Sequence, residues 1–277
     1  MRTPLTPRPP RVAAAPGGFG VRVPNVARMY NCLIGGKDNY ARDRLAVNEL
    51  LSIVPEAADV ARTNRAFVTR VVLELAKSGI DQFLDIGCGI PGGYGAVHNV
   101  ARSVLPEARV VYVDYDPLVV VHGRALLARP GVAMLPADIR ETDRILSDPV
   151  TTAVLDLTRP IAVLMGSVLH YVVDDELPAI FRALHTMLPP GSAIAMSHLC
   201  DDDLSPGVFD AVVSLHNRAS AALYPRSSVA IGAMLAGFTL LDPGVVEVSR
   251  WRPAPDDIRS RHVWYHLGGV GRVEAGL

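Results

Sequence analysis

The sequence predicts an α/β fold: a doubly wound, mainly parallel sheet with helices on both faces and a helical cap on its N-terminal side. Three observations lead to it. Short apolar runs bounded by Gly, Pro or Asp recur at 83–86, 110–113, 132–135, 161–166 and 193–196, and stretches of helical length separate them. Such runs suit strands buried on both faces, as in a parallel sheet covered by helices. The first run passes directly into a glycine cluster and then a helix, the place where open α/β sheets bind ligands.

The elements follow in order. Residues 1–22 hold Pro4, Pro7, Pro9, Pro10, Pro16 and a Gly17-Gly18 pair with no apolar periodicity, and are expected to form a disordered tail. A helical cap is expected over 23–80. It opens with a short helix from Val26 to Ile34 that ends at Gly35-Gly36. Val47, Leu50, Leu51 and Val54 mark a second helix, and a third runs from Pro55 to Lys77 with Phe67, Val68, Val71 and Leu75 on one face. The α/β domain then occupies 81–277. Its clearest helix spans Asp174 to Leu188, with Leu177, Ile180, Phe181, Leu184 and Leu188 on one stripe. Helical stretches near 208–222 and 227–236 precede late strands at 238–241, 245–248 and 262–267.

Charge and composition exclude several classes. The 277 residues carry 27 basic and 28 acidic side chains, a net charge of -1, which argues against nucleic acid or an anionic membrane as partner. Cys32, Cys88 and Cys200 form no C-x-x-C pair, and the eight histidines form no H-E-x-x-H motif, so neither a disulfide framework nor a metal site is expected. No apolar run approaches the roughly 18 residues of a membrane span, and no signal peptide is legible, so a cytoplasmic protein is expected.

The most informative stretch is Phe83-Leu84-Asp85-Ile86-Gly87-Cys88-Gly89-Ile90-Pro91-Gly92-Gly93. Gly87, Gly89 and Gly92 satisfy G-x-G-x-x-G, in which glycines let a ligand approach the backbone. Two acids bear on the ligand. Asp85, two residues before the first glycine, would repel a pyrophosphate but suits an ammonium- or sulfonium-bearing ligand. Asp114 ends the next strand, where a carboxylate accepts hydrogen bonds from ribose hydroxyls. It lies 27 residues after Gly87, beyond the dinucleotide spacing of about 20. Plainer roles stay open: Asp85 as a turn cap, Asp114 as a strand-end Asp, Asp138 as the start of the turn to Glu141, and Cys88 as a small buried filler.

The segments L-D-I-G-C-G, V-Y-V-D-Y-D-P and L-P-A-D-I-R resemble the Rossmann-like class I S-adenosylmethionine-dependent methyltransferases. More narrowly, 27–40, R-T-N-R-A-F at 62–67, 82–91 and V-S-R-W-R-P at 248–253 resemble the "S-adenosyl methyltransferase" family once catalogued as a domain of unknown function. The resemblance covers roughly 23–272. It implies that Gly87 and Gly89 pass under the methionine and ribose of S-adenosyl-L-methionine, and that Asp85 helps hold its amino group. It further implies that Asp114 binds the ribose hydroxyls, Tyr115 flanks the adenine, Asp138 and the Ile139 amide bind the adenine edge, and Ser167 lies beneath the sulfonium. Ile90-Pro91 departs from the pattern, since many class members carry a third glycine directly after Gly89.

On the acceptor side, His170, just past the fourth strand, is the expected general base, with His198 as second choice. A capping or packing role for either stays open. Tyr30, Lys37 or Arg65 is expected to reach the cofactor's carboxylate, because an anionic tail wants a charged or bidentate donor; solvated roles for Lys37 and Arg65 are the alternative. Trp251 suits either the acceptor pocket or packing. The leading expectation is an enzyme methylating an oxygen or nitrogen of a small molecule. A weaker similarity of Arg65 and Q-F-L-D-I-G-C-G to leucine carboxyl methyltransferases adds a carboxylate acceptor. The competing classes are a non-catalytic S-adenosylmethionine-binding regulator and an NAD(P)-dependent oxidoreductase, the latter disfavoured by Asp85. The sequence does not fix the oligomeric state.

Overall fold

The five apolar runs pair side by side as parallel strands, four of them almost wholly buried and the run at 132–136, at the sheet edge, half-buried. In this computed structural model, which describes residues 22–91, 95–126, 129–254 and 264–274, the chain begins with α1 (Val26–Leu33), α2 (Ala41–Ile53) and α3 (Ala57–Lys77). The α/β alternation follows as β1 (Gln82–Ile86), α4 (Val97–Arg102), β2 (Arg109–Asp114), α5 (Pro117–Leu126), β3 (Val132–Pro136), α6 (Thr142–Ser147), α7 (Pro149–Val154) and β4 (Ala162–Gly166). It continues as α8 (Leu177–Met187), β5 (Ala193–Cys200), α9 (Pro206–Asn217), α10 (Ser228–Ala233), β6 (Thr239–Leu240), β7 (Val246–Glu247) and β8 (Tyr265–Arg272).

The strand order is β3-β2-β1-β4-β5-β8-β6, with β7 also pairing β8. The first five strands are mutually parallel, and β8 runs antiparallel to β5. The chain reverses its direction of winding between β1 and β4, so a crevice opens outside the carboxyl ends of these two strands. Alternation sends Leu84 and Ile86 into the cluster on the α6 and α8 face, and Phe83 into the cluster under α3. Asp85 shares the parity of Phe83 and so faces α3.

One expectation changes. The third helix, grouped by the sequence with the cap, packs on the sheet: Phe67, Val68, Val71, Val72 and Leu75 join Phe83 and Val110 in one core. Its buried Arg70 donates to the carbonyls of Trp251 (3.0 Å) and Val248 (2.6 Å), and Trp251 is fully buried with its ring edge-on to Phe67 at 5.6 Å. Trp251 is therefore a packing residue. Of the first three helices the cap keeps α1 and α2, held by a separate apolar cluster of Met29, Val47, Leu50, Leu199, Leu215 and Trp264. The expected tail, Gly92, Gly93 and the start of the last expected strand lie outside the described residues. No helix among the described residues is long and apolar enough to cross a membrane.

Candidate active site

The turn after β1 is shaped by two glycines in the left-handed region, Gly87 at φ 70° and Gly89 at φ 62°. A Cβ on Gly87 would lie 2.3 Å from a methyl of Val168, so glycine there lets the turn close against the segment after β4. A Cβ on Gly89 would meet nothing within 4 Å. Open space above a backbone in this conformation is what a ligand passing over the turn requires.

Two carboxylates flank that space. Asp114, at the end of β2, accepts from the amides of Gly89 and Asp116, each at 3.0 Å, and so fixes the turn while keeping lone pairs for a ligand. Asp85 is 5% exposed, and its carboxylate accepts no hydrogen bond from a described residue. Burial raises its pKa from the ordinary 3.8 to about 6; Arg65 pulls it back down and Asp114 pushes it further up. Burial likewise raises Asp114 to about 6, against the amide hydrogen bonds that lower it.

The remaining sites named from the sequence divide. Arg65, on α3, donates to the Gly95 carbonyl at 2.9 Å and acts electrostatically on Asp85, so it faces the crevice. Tyr30 does not offer its proton there: its hydroxyl donates to the Ala61 carbonyl at 3.0 Å and accepts from Asn64 at 3.0 Å. Its expected role as a donor to the cofactor's carboxylate is thereby corrected, because a hydroxyl has one proton to give. Lys37 is exposed in the α1–α2 loop and makes no hydrogen bond or ion pair with a described residue. Tyr115 is half-exposed, hydrogen-bonded to Ser220, and raised to about 12, mainly by burial of its hydroxyl and then by Asp114 and Asp116. Asp138 caps a single 3-10 turn and binds Arg140 through both oxygens, at 2.8 and 2.6 Å. Only lone pairs that Arg140 leaves free can serve an adenine. The buried Ile139 sits at the first position of that turn, where its amide lacks an intrahelical acceptor.

The acceptor side holds three buried histidines from the ends of β4, β5 and β8. His198 donates from Nδ1 to the Leu199 carbonyl at 2.9 Å, and its Nε2 accepts from Arg226 at 2.8 Å. His170, 4% exposed, accepts the Leu199 amide on Nδ1 at 3.4 Å, and burial, followed by its histidine neighbours, holds its pKa well below the usual range. The lone pair that a base would use is already engaged in both rings. His170 as general base is therefore corrected to a neutral packing and hydrogen-bonding residue, edge-on to Tyr171 at 4.5 Å. Ser167, in contrast, holds a left-handed φ of 60°, uncommon for a serine, and its Oγ lies 2.5 Å from Nε2 of His266. Its amide donates to Ser197 Oγ (3.0 Å), whose hydroxyl donates to Asn64 (2.5 Å). The sequence singled out neither Asn64 nor His266. Asn64 lay inside the quoted R-T-N-R-A-F, but His266 carries no local signal. Among the described residues no group of His, Cys, Asp and Glu could hold a metal ion.

Residues 14–274 match the family described as S-adenosyl methyltransferase. The crystal structure of a candidate methyltransferase from Thermobifida fusca YX is 35% identical, covers 95% of this chain and 100% of its own, and superposes with a TM-score of 0.85. A DUF574-family protein from Streptomyces avermitilis MA-4680 is 35% identical over 92% of this chain and 99% of its own, again with a TM-score of 0.85. No functionally curated protein matches the chain.

Proposed function

Because the chain belongs to the S-adenosyl methyltransferase family, it is an S-adenosylmethionine-dependent methyltransferase, and we propose that it methylates an oxygen or nitrogen nucleophile of a small molecule at the crevice beside β1, β2 and β4. Asp85 carries this reading. A buried carboxylate without a partner is costly, and it persists where a ligand supplies the missing donor. The cofactor's ammonium is such a donor.

The other groups fit the same ligand. The open face of Gly89 admits the chain between ammonium and ribose, and the free lone pairs of Asp114 accept the ribose hydroxyls. Tyr115 offers a ring for the adenine, the Ile139 amide a donor to its edge, and Arg65 a cation for the terminal carboxylate. When bound, the cofactor supplies a methyl group made electrophilic by the sulfonium. The chain orients the two reactants and keeps water away from them: α1 and α2 lie over the crevice, pinned there because Asn25 bonds both Asp116 and Ser220.

Thermal unfolding with S-adenosylmethionine, S-adenosylhomocysteine and NAD in parallel tests this. Saturation at 100 times the dissociation constant adds about 2.7 kcal/mol, and the adenosyl sulfur compounds should give that shift in the native chain but not in Asp114→Ala. A response to NAD alone would overturn the assignment of the crevice.

A further inference from the structure

Three histidines meet at the carboxyl ends of β4 and β5 and the amino end of β8, and only one of them addresses a side-chain hydroxyl. The rings of His198 and His266 lie 5.5 and 5.8 Å from that of His170, centroid to centroid. Arg226 occupies the lone pair of His198 and the Leu199 amide that of His170. The remaining ring, His266, is 6% exposed, meets Ser167 Oγ through Nε2 at 2.5 Å, and has no partner for Nδ1. The contact joins a hydroxyl to a ring nitrogen, and a Ser167 hydroxyl that donates to Nε2 leaves the ring proton on Nδ1.

The position of Ser167 is equally specific. Extending the β1–β4 register sets Gly166 opposite Gly87, and Val168 packs on Gly87 itself. Ser167 lies between them, beside the glycine turn, held in its left-handed conformation by two bonds from its amide to Ser197. Backbone strain of this kind costs about 1–3 kcal/mol and persists where its surroundings impose it, commonly at active sites.

We propose that Ser167 and His266 are the acceptor-side pair of this methyltransferase, and that they take the proton of an uncharged alcohol, phenol or amine as its oxygen or nitrogen is methylated. The inference rests on the methyl-transfer reading above. The acceptor's lone pair forms the new bond to the methyl carbon, and the carbon–sulfur bond breaks with its electron pair left on sulfur. The acceptor's proton passes to Oγ of Ser167 as the Ser167 proton passes to Nε2 of His266. One positive charge leaves sulfur and one appears on the imidazole, so the net charge of the crevice is unchanged. This balance matters because burial holds His266 neutral in the free protein, with a pKa near 3. Among the described residues His170 and His198 act on it electrostatically, with Arg226 beside them, and no anion offsets the burial that lowers it. A carboxylate acceptor fits poorly: it brings no proton, and the lone pairs of Ser167 Oγ would face its own.

Nitrogen NMR of the full chain labelled with 15N-histidine and saturated with S-adenosylhomocysteine tests the pair, using phenol and benzoate as probes. His266 should be neutral with its proton on Nδ1, and phenol should shift its Nε2 resonance while benzoate leaves it in place. His266→Gln identifies the resonance. Ser167→Ala, which removes only a hydroxyl, identifies it independently and should abolish the response to phenol. A proton on Nε2, no response to phenol, or a benzoate response as large as that to phenol would overturn the proposal. Failure of S-adenosylhomocysteine to bind in calorimetry would instead overturn the methyl-transfer reading beneath it.

Discussion

Replacing Asp85 by Asn should make the free protein more stable and the cofactor complex weaker. The ionised carboxylate is disfavoured in the fold, its pKa lying at about 6 against the ordinary 3.8. At about 1.4 kcal/mol per pKa unit, holding Asp85 ionised above pH 7 costs the native state about 3 kcal/mol. Asn keeps the shape and removes the charge. At roughly 2–4 °C per kcal/mol for a chain approaching this size, the melting temperature at pH 7.5 should rise by about 6–12 °C. The sign with pH follows from proton counting: between the unfolded and folded pKa values the native state binds more protons, so native stability rises as pH falls from about 7 toward 4. Asp114 behaves in the same way, so Asp85→Asn should flatten that rise without abolishing it. Affinity for S-adenosylhomocysteine should fall by about 10- to 100-fold, because a hydrogen bond to a charged group is worth about 1.5–3 kcal/mol. Thermal unfolding at pH 5 and 7.5 with calorimetric titration measures both effects. Unchanged stability together with unchanged affinity would refute the claim that Asp85 is an unpaired carboxylate awaiting a cation.

Native affinity for S-adenosylhomocysteine should fall about tenfold per pH unit once the pH drops below about 6, because protonated Asp85 gives up its attraction for the ammonium; titration from pH 7.5 to 5 checks this. Arg65→Met should weaken the same binding by about tenfold, through loss of a charge-assisted contact worth about 1.5 kcal/mol or more, whereas Lys37→Met should leave it unchanged; calorimetry on the two variants separates the residues. Gly89→Ala places a side chain at φ 62° and in the open space above the turn, so it should cost about 1–2 kcal/mol of stability by urea unfolding and remove most of the cofactor affinity.

What could be read from the sequence depended on how far each determinant lay along the chain. The five parallel strands were legible because burial on both faces writes a continuous apolar run, and Asp85 and Asp114 because strand ends are fixed points of that pattern. β8 was legible only at its start: the strand expected at 262–267 overlaps it over 265–267, whereas Gly268-Gly269-Val270-Gly271-Arg272 reads as loop, yet a Cβ on Gly268 would approach the Met196 carbonyl and the Phe67 ring at 2.9 Å each. Its glycines answer to neighbours distant in sequence. The same holds for proton positions. Whether His170 or His198 could act as a base turned on the Leu199 amide and on Arg226, and no spacing within G-S-V-L-H-Y reveals either. The third helix was misassigned to the cap because amphipathicity shows that a face is buried without saying against what.

The polar groups at the strand ends fall into two kinds, and the division argues for where the ligands lie. From cap to β4, hydrogen bonds close one upon the next: Asn64 donates to Tyr30, Ser197 donates to Asn64, and the Ser167 amide donates to Ser197. That framework asks for nothing more. Asp85, the free lone pairs of Asp114 and Nδ1 of His266 are left with unused capacity although each residue is less than a tenth exposed. A satisfied framework makes rearrangement expensive, so the deficits cannot be relieved by a small collapse of the crevice. They can be relieved by donors and acceptors from outside, a cation beside Asp85 and a polar acceptor beside Ser167, and the open backbone of Gly89 sets the path between those positions.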